Sequence, residues 1–192
     1  MKQLNRWKDN FGDEYTDRNV VDWRTRISIF ERIMDGLKIN SVLEVGCNRG
    51  HNLLAIHDII GDKKIYGIEP NRYARSLAQR DGLDVIDGEV CDIPFKNGYF
   101  DLVFTYGVLI HVPEHLLPCA LNELYRVSRP YILLAEYFSK EDELIHYRGY
   151  NDMLWKRNYP EWFLSQTFPT HVDLIRSGFE KEERITWWVF KK

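Results

Sequence analysis

The chain has 192 residues, of which 44% are hydrophobic and 29% are charged, and its formal net charge is -3. This length suits one domain, since domains usually run to roughly 100–200 residues, and the sequence contains no apolar run of about 20 residues that could cross a bilayer. The three cysteines form no CxxC pair, which argues against a disulfide framework and a zinc ribbon. The slight negative charge offers no broad basic surface to a nucleic-acid backbone. We therefore expect a single domain over residues 1–192 that acts on a small molecule, without nucleic-acid or membrane partners.

Short apolar runs alternate with segments of helical periodicity from residue 21 onward. The pattern predicts, in chain order, a helix over 21–37, a strand at SVLEVG, a helix over 52–60, a strand at KKIYGIE, a helix at RYARSLAQR, strands at LDVIDGEV and FDLVFTYG, a helix at LPCALNELYRVS and a strand at YILLAEYF. Further on, DMLWKRNYPEWFLSQ predicts a helix, THVDLIRSGF gives no clear assignment, and ITWWVFKK predicts a final strand.

This alternation indicates the fold class, because parallel strands need crossover connections, which are usually helices. We predict an α/β, Rossmann-like, doubly wound and mostly parallel sheet with a C-terminal antiparallel hairpin. Ligands of such sheets bind beyond the carboxyl ends of the strands. The first residues, MKQLNRWKDNFGDEY, lack the apolar stretch of a secretory signal, which predicts a cytoplasmic location.

The segment LEVGCNRGHN follows the first predicted strand and opens a helix, so its backbone N–H groups face the expected ligand. Gly46 suits a tight turn and Gly50 a close approach, while Asn48 is of a type that tolerates positive φ. A dinucleotide fingerprint counted from Gly46 would need glycines at positions 48 and 51, which hold Asn48 and His51. The remaining pattern, Glu44 followed by Gly46 and Gly50, fits a cofactor loop or a plain turn.

LEVGCNRG resembles the first motif of class I S-adenosylmethionine-dependent methyltransferases, departing from it at Asn48. The resemblance continues in order through KKIYGIEP and GEVCDIPFKNGYFDLVF, over residues 41–104. It implies S-adenosylmethionine as cofactor, with Glu44 positioning its amino end, Glu69 binding the ribose hydroxyls, Asp92 taking the adenine amino group and Ile93 covering the ring. Dehydrogenases use the same strand-end acid, so Glu69 indicates a ribose more than a reaction. Asp92 could instead cap the turn before Pro94.

The segment TYGVLIHVP corresponds in position to the motif where methyl donor and acceptor meet. His111 is the candidate catalytic base, because imidazole titrates near 6.5, although it could equally orient the loop or the substrate. Tyr106, the second candidate catalytic residue, would lie beside the sulfonium, where its ring face favours positive charge, or would pack in the core. His111 and His115 are four residues apart, but Pro113 intervenes and no third ligand is evident. We predict no metal.

The segment WKDNFGDEYTDRN, within residues 1–20, combines aromatic side chains with dense charge. This composition predicts either a lid over the cofactor or a solvated helix start. As a lid it would bring Tyr15, Arg18 and Asn19 to the cofactor's carboxylate or to the acceptor. The candidate cofactor-binding residues are thus Glu44, Gly46, Asn48, Gly50, Asn52, Glu69, Pro70, Asp92, Ile93, Tyr106, Tyr15 and Asn19.

FGDEYTDRN, VGCNRGHNL, EYF followed by YRGYNDMLWKRNY, and ITWWVF together resemble the methylases that accompany pseudaminic acid and related surface-sugar biosynthesis. This resemblance implies O-methylation of a sugar, a sugar nucleotide or a surface-glycan precursor, with residues 139–170 as a substrate-side insert. Arginine suits carboxylate and phosphate groups, and the alternative is a plain charged surface. The candidate substrate-binding residues are His146, Tyr147, Arg148, Lys156 and Arg157.

Three other functions stay open at this point. One is N-methylation of a small amine or an amino sugar, which needs a base less. Another is a nicotinamide oxidoreductase, against which the absent GxGxxG counts. The third is a non-catalytic adenosine-binding or partner-binding module with the same fold.

Overall fold

The computed structural model describes residues 2–192, and within this range no helix has the length and apolar character needed to span a membrane. The helices and strands, in chain order, are α1 (Lys2–Lys8), α2 (Asn10–Arg18), α3 (Ile27–Met34), β1 (Ser41–Val45), α4 (His51–Ile60), β2 (Lys64–Ile68), α5 (Arg72–Arg80), β3 (Asp84–Ile86), β4 (Phe100–Tyr106), α6 (Leu117–Val127), β5 (Ser128–Glu136), β6 (Glu143–Tyr147), β7 (Tyr150–Lys156), α7 (Tyr159–Leu164), β8 (Asp173–Glu180) and β9 (Ile185–Lys191).

Seven of the strands form one sheet in the order β3-β2-β1-β4-β5-β9-β8. The first five are parallel, whereas β9 runs antiparallel to both β5 and β8. The predicted Rossmann-like, mostly parallel fold with a C-terminal antiparallel pair is therefore confirmed. Helices cover both faces, so β1 is buried along its whole length. Successive residues alternate between two cores: Leu43 and Val103 belong to one, and Val42 and Phe104 to the other.

Two predicted elements are shorter in the structure than predicted, and one segment left without an assignment is a strand. The helix predicted over 21–37 begins only at Ile27, because Trp23–Arg26 forms a 3-10 turn capped by Asp22, whose side chain accepts from the Arg24 N–H. The strand predicted at LDVIDGEV is limited to β3. The unassigned segment THVDLIRSGF contributes most of β8, an edge strand.

The helix predicted over 152–166 is wrong, because its first part pairs as a strand. β6 and β7 form a separate two-stranded sheet, joined by a two-residue turn at Arg148 and Gly149 with φ of 50° and 85°. Positive φ at both turn residues matches the twist of a tight hairpin. Only Tyr159–Leu164 is helical, starting where Asn158 accepts the Glu161 N–H.

Two elements outside the main sheet, the α1–α2 pair and the β6–β7 hairpin, meet at the carboxyl ends of the strands. The Gln3 side chain donates to the carbonyl of His111, in the loop after β4, at 2.6 Å. Asn71, in the loop after β2, donates to the Trp7 carbonyl at 3.0 Å. Arg6 forms an ion pair of 2.9 Å with Asp152 of the hairpin. The expected ligand edge is therefore covered from two sides.

Candidate active site

The loop between β1 and α4 follows the conformation expected of its residues. Gly46 and Gly50 adopt φ of 75° and 80°, and Asn48 adopts 49°. A Cβ added to Gly46 would lie 2.7 Å from a Val108 methyl carbon, so the loop passes against the segment after β4. The Asn48 side chain also donates to the Thr16 hydroxyl of α2 at 2.9 Å. This loop is therefore tied both to the segment carrying His111 and to the N-terminal helices.

Glu69 lies directly after β2, with 7% of its surface exposed. One carboxylate oxygen accepts the Asn48 N–H and the other accepts the Asn71 N–H, both at 2.8 Å. Burial raises the pKa of Glu69 to about 7, and the two hydrogen bonds oppose that rise. Each oxygen keeps a further lone pair, so the carboxylate can accept hydroxyl protons as the ribose prediction requires. Pro70 follows it, half-buried.

Glu44 is buried near the carboxyl end of β1, where its Oε1 accepts from the Asn52 amide at 2.6 Å. Its Oε2 is also buried, with no hydrogen-bond partner among residues 2–192. Burial raises the pKa of Glu44 to about 8, which the Asn52 hydrogen bond and the Arg26 charge oppose. An orphaned carboxylate oxygen at a ligand edge fits a positively charged ligand group. The hydrogen bond from Asn52 fixes the other carboxylate oxygen of Glu44.

Arg26 places a positive charge beside this carboxylate, and the sequence analysis missed it. Its guanidinium donates to the Asn52 side-chain oxygen and pairs with Glu183 at 3.1 Å. Its Nε is buried with no partner in the described chain. Glu44 and Arg26 thus offer one unused acceptor and one unused donor, which fits the amino and carboxylate groups of a methionine moiety. In the sequence, Arg26 is one of two arginines before a helix, and this pattern resembles ordinary surface charge.

We expect Glu44→Gln to change how stability depends on pH. Because the folded-state pKa of Glu44 is raised, wild-type stability is highest below the unfolded value of 4.5 and falls as pH rises towards 8. The neutral amide removes that part of the slope. The free energy of unfolding of the variant should therefore exceed that of wild type by about 1–3 kcal/mol at pH 8 and by little at pH 4.5. Urea unfolding across this pH range measures the gain, and the exposed Glu182→Gln serves as the control. Parallel slopes for wild type and Glu44→Gln would contradict the assigned burial.

The segment after β4, which carries His111, is held by two buried charges. The Glu136 carboxylate accepts the backbone N–H groups of Val108, Leu109 and Ile110 at 3.1–3.2 Å. Arg157 Nη1 donates to the carbonyls of Val112 at 3.0 Å and Leu109 at 3.4 Å. Both side chains are fully buried. Burial also raises the pKa of Glu136 to about 7, against the opposing pull of these N–H groups.

Arg157 therefore corrects one prediction. It was expected to line the substrate side, but its guanidinium lies beneath the Leu109–His111 turn and pairs with Asp142 at 3.3 Å. An arginine in the polar stretch after β7 gives no sign of its burial in the sequence. Its contacts fix the shape of the turn that carries His111.

The His111 ring is held in one tautomer by its surroundings. Its Nδ1 faces the Met153 carbonyl of β7, and a carbonyl can only accept, so Nδ1 carries the proton. Nε2 then keeps its lone pair. Burial lowers the pKa of His111 to about 4, opposed by the Met153 hydrogen bond, so the ring is neutral at pH 7. A neutral imidazole with a free Nε2 is the form that a general base needs.

Five rings of the N-terminal helices and the hairpin pack together next to His111, and two of them contact it. We call them the aromatic cluster: Trp7, Phe11, Tyr15, Tyr147 and Tyr150. Ring centres lie 5.1 Å apart for Trp7–Phe11 and Trp7–Tyr15, 5.8 Å for Phe11–Tyr150 and 6.4 Å for Phe11–Tyr147. The His111 ring is 4.6 Å from Trp7 and 5.6 Å from Tyr147. The predicted residues Tyr15 and Tyr147 are thus brought together with His111.

Three other predicted residues lie outside the aromatic cluster. Tyr106 has the Arg26 guanidinium 4.8 Å from its ring centre, so that ring face already has a cation. Asn19 is exposed at the end of α2, and its amide donates to the Tyr15 carbonyl at 2.7 Å. Lys156 is half-buried at the end of β7. Asn19 therefore caps the end of α2.

The segment predicted to bind adenine lies between β3 and β4. Asp92 is exposed, whereas Ile93 is 2% exposed and packs in the core. The Ile93 N–H donates to Glu123 and its carbonyl accepts from Arg126, both at 2.8 Å. Side chains of α6 thus hold the backbone at Ile93. Asp92, by contrast, is exposed to solvent. No group of three or more His, Cys, Asp or Glu side chains within residues 2–192 could hold a metal ion.

Solved structures of low sequence identity share this fold. The chain resembles Haemonchus contortus phosphoethanolamine N-methyltransferase 1 with a TM-score of 0.73 at 14% identity, covering 98% of this chain and 48% of that one. It resembles magnesium protoporphyrin IX methyltransferase from Synechocystis PCC 6803 with a TM-score of 0.71 at 13% identity, covering 98% of this chain and 94% of that one. The first was solved with S-adenosylhomocysteine and the second with S-adenosylmethionine. These likenesses show the class I methyltransferase fold.

Sequence comparison agrees with the fold. Residues 42–131 match the family described as "Methyltransferase domain". Sterol 24-C-methyltransferase from Pneumocystis carinii is 29% identical over 133 residues, which are 65% of this chain and 34% of that protein. Squalene methyltransferase 1 from Botryococcus braunii is 31% identical over 59% of this chain and 30% of that protein. The chain thus spans about a third of these relatives. Residues 42–131 thus match a methyltransferase domain, and the chain has the class I methyltransferase fold, whose solved members bind S-adenosylmethionine or S-adenosylhomocysteine; this supports S-adenosylmethionine as the cofactor.

Proposed function

We propose that this protein transfers a methyl group from S-adenosylmethionine to a hydroxyl of a sugar, a sugar nucleotide or a surface-glycan precursor. One observation carries the proposal: Glu44, Arg26 and Glu69 offer buried polar atoms at the same sheet edge as an imidazole with a free Nε2. The first three suit the two ends of an adenosyl amino acid, and the imidazole suits an acceptor proton. We also propose that residues 1–192 form a single domain and that the protein acts in the cytoplasm.

The residues near the glycine loop would hold the cofactor. Glu69 would accept the ribose hydroxyl protons, while Glu44 Oε2 and Arg26 Nε would receive the amino and carboxylate groups of the methionine part. Gly46, Asn48 and Gly50 shape the loop, and Asp92 remains the adenine candidate. When bound, S-adenosylmethionine supplies a methyl group on a sulfonium sulfur, which an acceptor can take by in-line displacement.

The chain's own contribution to the reaction is positioning, proton removal and exclusion of water. Glu136 and Arg157 hold the His111 turn, so Nε2 can take the acceptor's hydroxyl proton, an effect typically worth about 10²- to 10⁴-fold in rate. Residues 1–20 act as the lid: α1 and α2 cover the site through Gln3, Thr16 and Trp7. A covered site strengthens the electrostatic contacts made within it.

The choice of a carbohydrate acceptor has weaker support than methyl transfer itself. The relatives are named for sterols, squalene, phosphoethanolamine and a porphyrin, so their shared feature is the methyl donor. The sugar rests on the resemblance of the EYF and HYRGY segments, and on Tyr147 belonging to the aromatic cluster with Arg148 beside it. N-methylation of a small amine is the second candidate, because one structural neighbour, from Thermotoga maritima, is described as a possible histamine N-methyltransferase. A non-catalytic adenosine-binding module is the candidate of another class.

Incubation with methyl-labelled S-adenosylmethionine and extracts containing nucleotide sugars tests the proposal. Mass spectrometry should find the label in a carbohydrate product, bonded to oxygen. Label on nitrogen would favour the amine alternative. Cofactor binding without transfer to any metabolite would favour the non-catalytic module.

A further inference from the structure

Arg18 brings a positive charge without a counter-ion to the aromatic cluster. Its guanidinium carbon lies 5.5 Å from the Phe11 ring centre and 5.3 Å from that of Tyr15. Nε and Nη2 are both buried, and neither has a hydrogen-bond partner in the part of the chain that is described. Arg6, by contrast, pairs with Asp152. Arg18 as a whole is half-buried, but leaving two buried donors of a guanidinium unused is costly, so their position indicates an anionic ligand.

The surroundings of Arg18 favour an anion over an amine. Arg6 lies 4.4 Å from the Tyr150 ring centre and Arg148 lies 5.8 Å from that of Tyr147. Four of the five rings of the cluster therefore already contact a guanidinium, which leaves little attraction for an ammonium ligand. Burial first, and then the neighbouring Tyr147, raise the pKa of Tyr15 to about 12. Tyr15 thus stays protonated and can donate to an anion beside Arg18.

Two anions could occupy this position, the cofactor's carboxylate or a group on the acceptor. Arg26 supplies the unused donor beside Glu44, on the glycine-loop side of the site. Tyr15 does not distinguish the two sides, because the charges of Arg26 and Glu69 act on it as well as Tyr147. Arg18 also contacts Phe11, however, and Phe11 packs on the two tyrosines of the hairpin. His111 contacts the same cluster through Trp7 and Tyr147. Arg18 is therefore on the acceptor side.

We infer that the acceptor carries a carboxylate or phosphate group, which Arg18 binds inside the aromatic cluster while the acceptor hydroxyl faces His111. The planar guanidinium fork matches both anions through paired hydrogen bonds. This inference rests on the proposed function, since it names the kind of molecule that is methylated. It narrows the proposed sugars to acidic or phosphorylated ones and disfavours a simple amine.

Calorimetry on protein saturated with S-adenosylhomocysteine tests the inference with three probes: glucuronate, glucose 6-phosphate and glucose. Wild type should bind at least one charged probe about 10-fold or more tighter than glucose, and the tighter of the two identifies the anion. Arg18→Met should reduce that preference to about 2-fold or less. Arg18→Lys, which keeps the charge without the planar fork, should lie between them.

Arg24→Met is the matched control, because Arg24 is an exposed arginine stacked 4.4 Å from the Trp23 ring centre, outside the cluster. It should leave the preference unchanged. Arg18→Met should fold with a melting temperature at or above that of wild type, since it removes an unpaired buried charge. Equal affinity of wild type for all three probes would overturn the inference. So would a 10-fold loss of S-adenosylhomocysteine affinity in Arg18→Met, which would assign Arg18 to the cofactor. Failure of wild type to bind S-adenosylhomocysteine would instead remove the proposed function itself.

Discussion

Glu69→Ala is expected to weaken the binding of S-adenosylhomocysteine by about 100-fold or more. A carboxylate that accepts two hydroxyl protons makes two charge-assisted hydrogen bonds, each worth about 1.5–3 kcal/mol, and 1.4 kcal/mol is a factor of ten in affinity. Glu69 also fixes the backbone N–H groups of Asn48 and Asn71, so alanine releases the loop as well. Isothermal titration calorimetry measures the loss directly.

Two further variants separate the ribose contact from general damage. Glu69→Gln keeps the size of the side chain but not its charge, and it should still lose most of the affinity. Asp84→Ala removes an exposed carboxylate from the amino end of β3, away from the ligand edge, and should bind as wild type does. Unchanged affinity in Glu69→Ala would overturn the ribose assignment.

Loss of the His111 imidazole should lower turnover about 10²- to 10⁴-fold and leave S-adenosylhomocysteine affinity nearly intact. Nε2 is the only imidazole nitrogen free to take a proton, because Nδ1 donates to Met153. The pKa of His111 is lowered to about 4, so the base is already unprotonated above that pH. Deprotonation of His111 should therefore cause no rise in wild-type turnover between pH 5 and pH 7.

The variant best suited to this test is His111→Asn, whose amide can still donate to the Met153 carbonyl but offers no basic nitrogen. Its turnover should match that of His111→Ala. His115→Ala, which removes an exposed imidazole four residues further on, is the control and should be active. Full turnover in His111→Asn would mean that the ring orients the loop and removes no proton. A loss of less than about 10-fold would favour an amine acceptor, which needs a base less.

The sequence predicts best where a segment's local pattern and its packing agree. RYARSLAQR coincides with α5, because its periodic apolar residues face the core and Asn71 caps its first turn. Asn48 likewise adopts the positive φ that its residue type tolerates. Such features depend on a few neighbouring residues, and these are visible in one sequence.

Prediction is poorest where partners come from distant segments. β7 pairs with β6 across the Arg148–Gly149 turn, a pairing that outweighs the helical appearance of DMLWKRNYPEWFLSQ. Arg157 resembles a surface charge in the sequence, yet the carbonyls of Leu109 and Val112, more than forty residues earlier, account for its burial. Arg26 becomes a candidate only beside Asn52 and Glu44. Electrostatic roles of this kind follow from the folded arrangement.

The central claim is that the carboxyl edge of the sheet holds an adenosyl amino acid between Glu69 and the Glu44–Arg26 pair. Titration calorimetry of the purified, ligand-free protein with S-adenosylhomocysteine tests it most directly. We predict a saturable isotherm with one molecule per chain, abolished or strongly weakened in Glu69→Ala. An absence of heat with both S-adenosylhomocysteine and S-adenosylmethionine would contradict it.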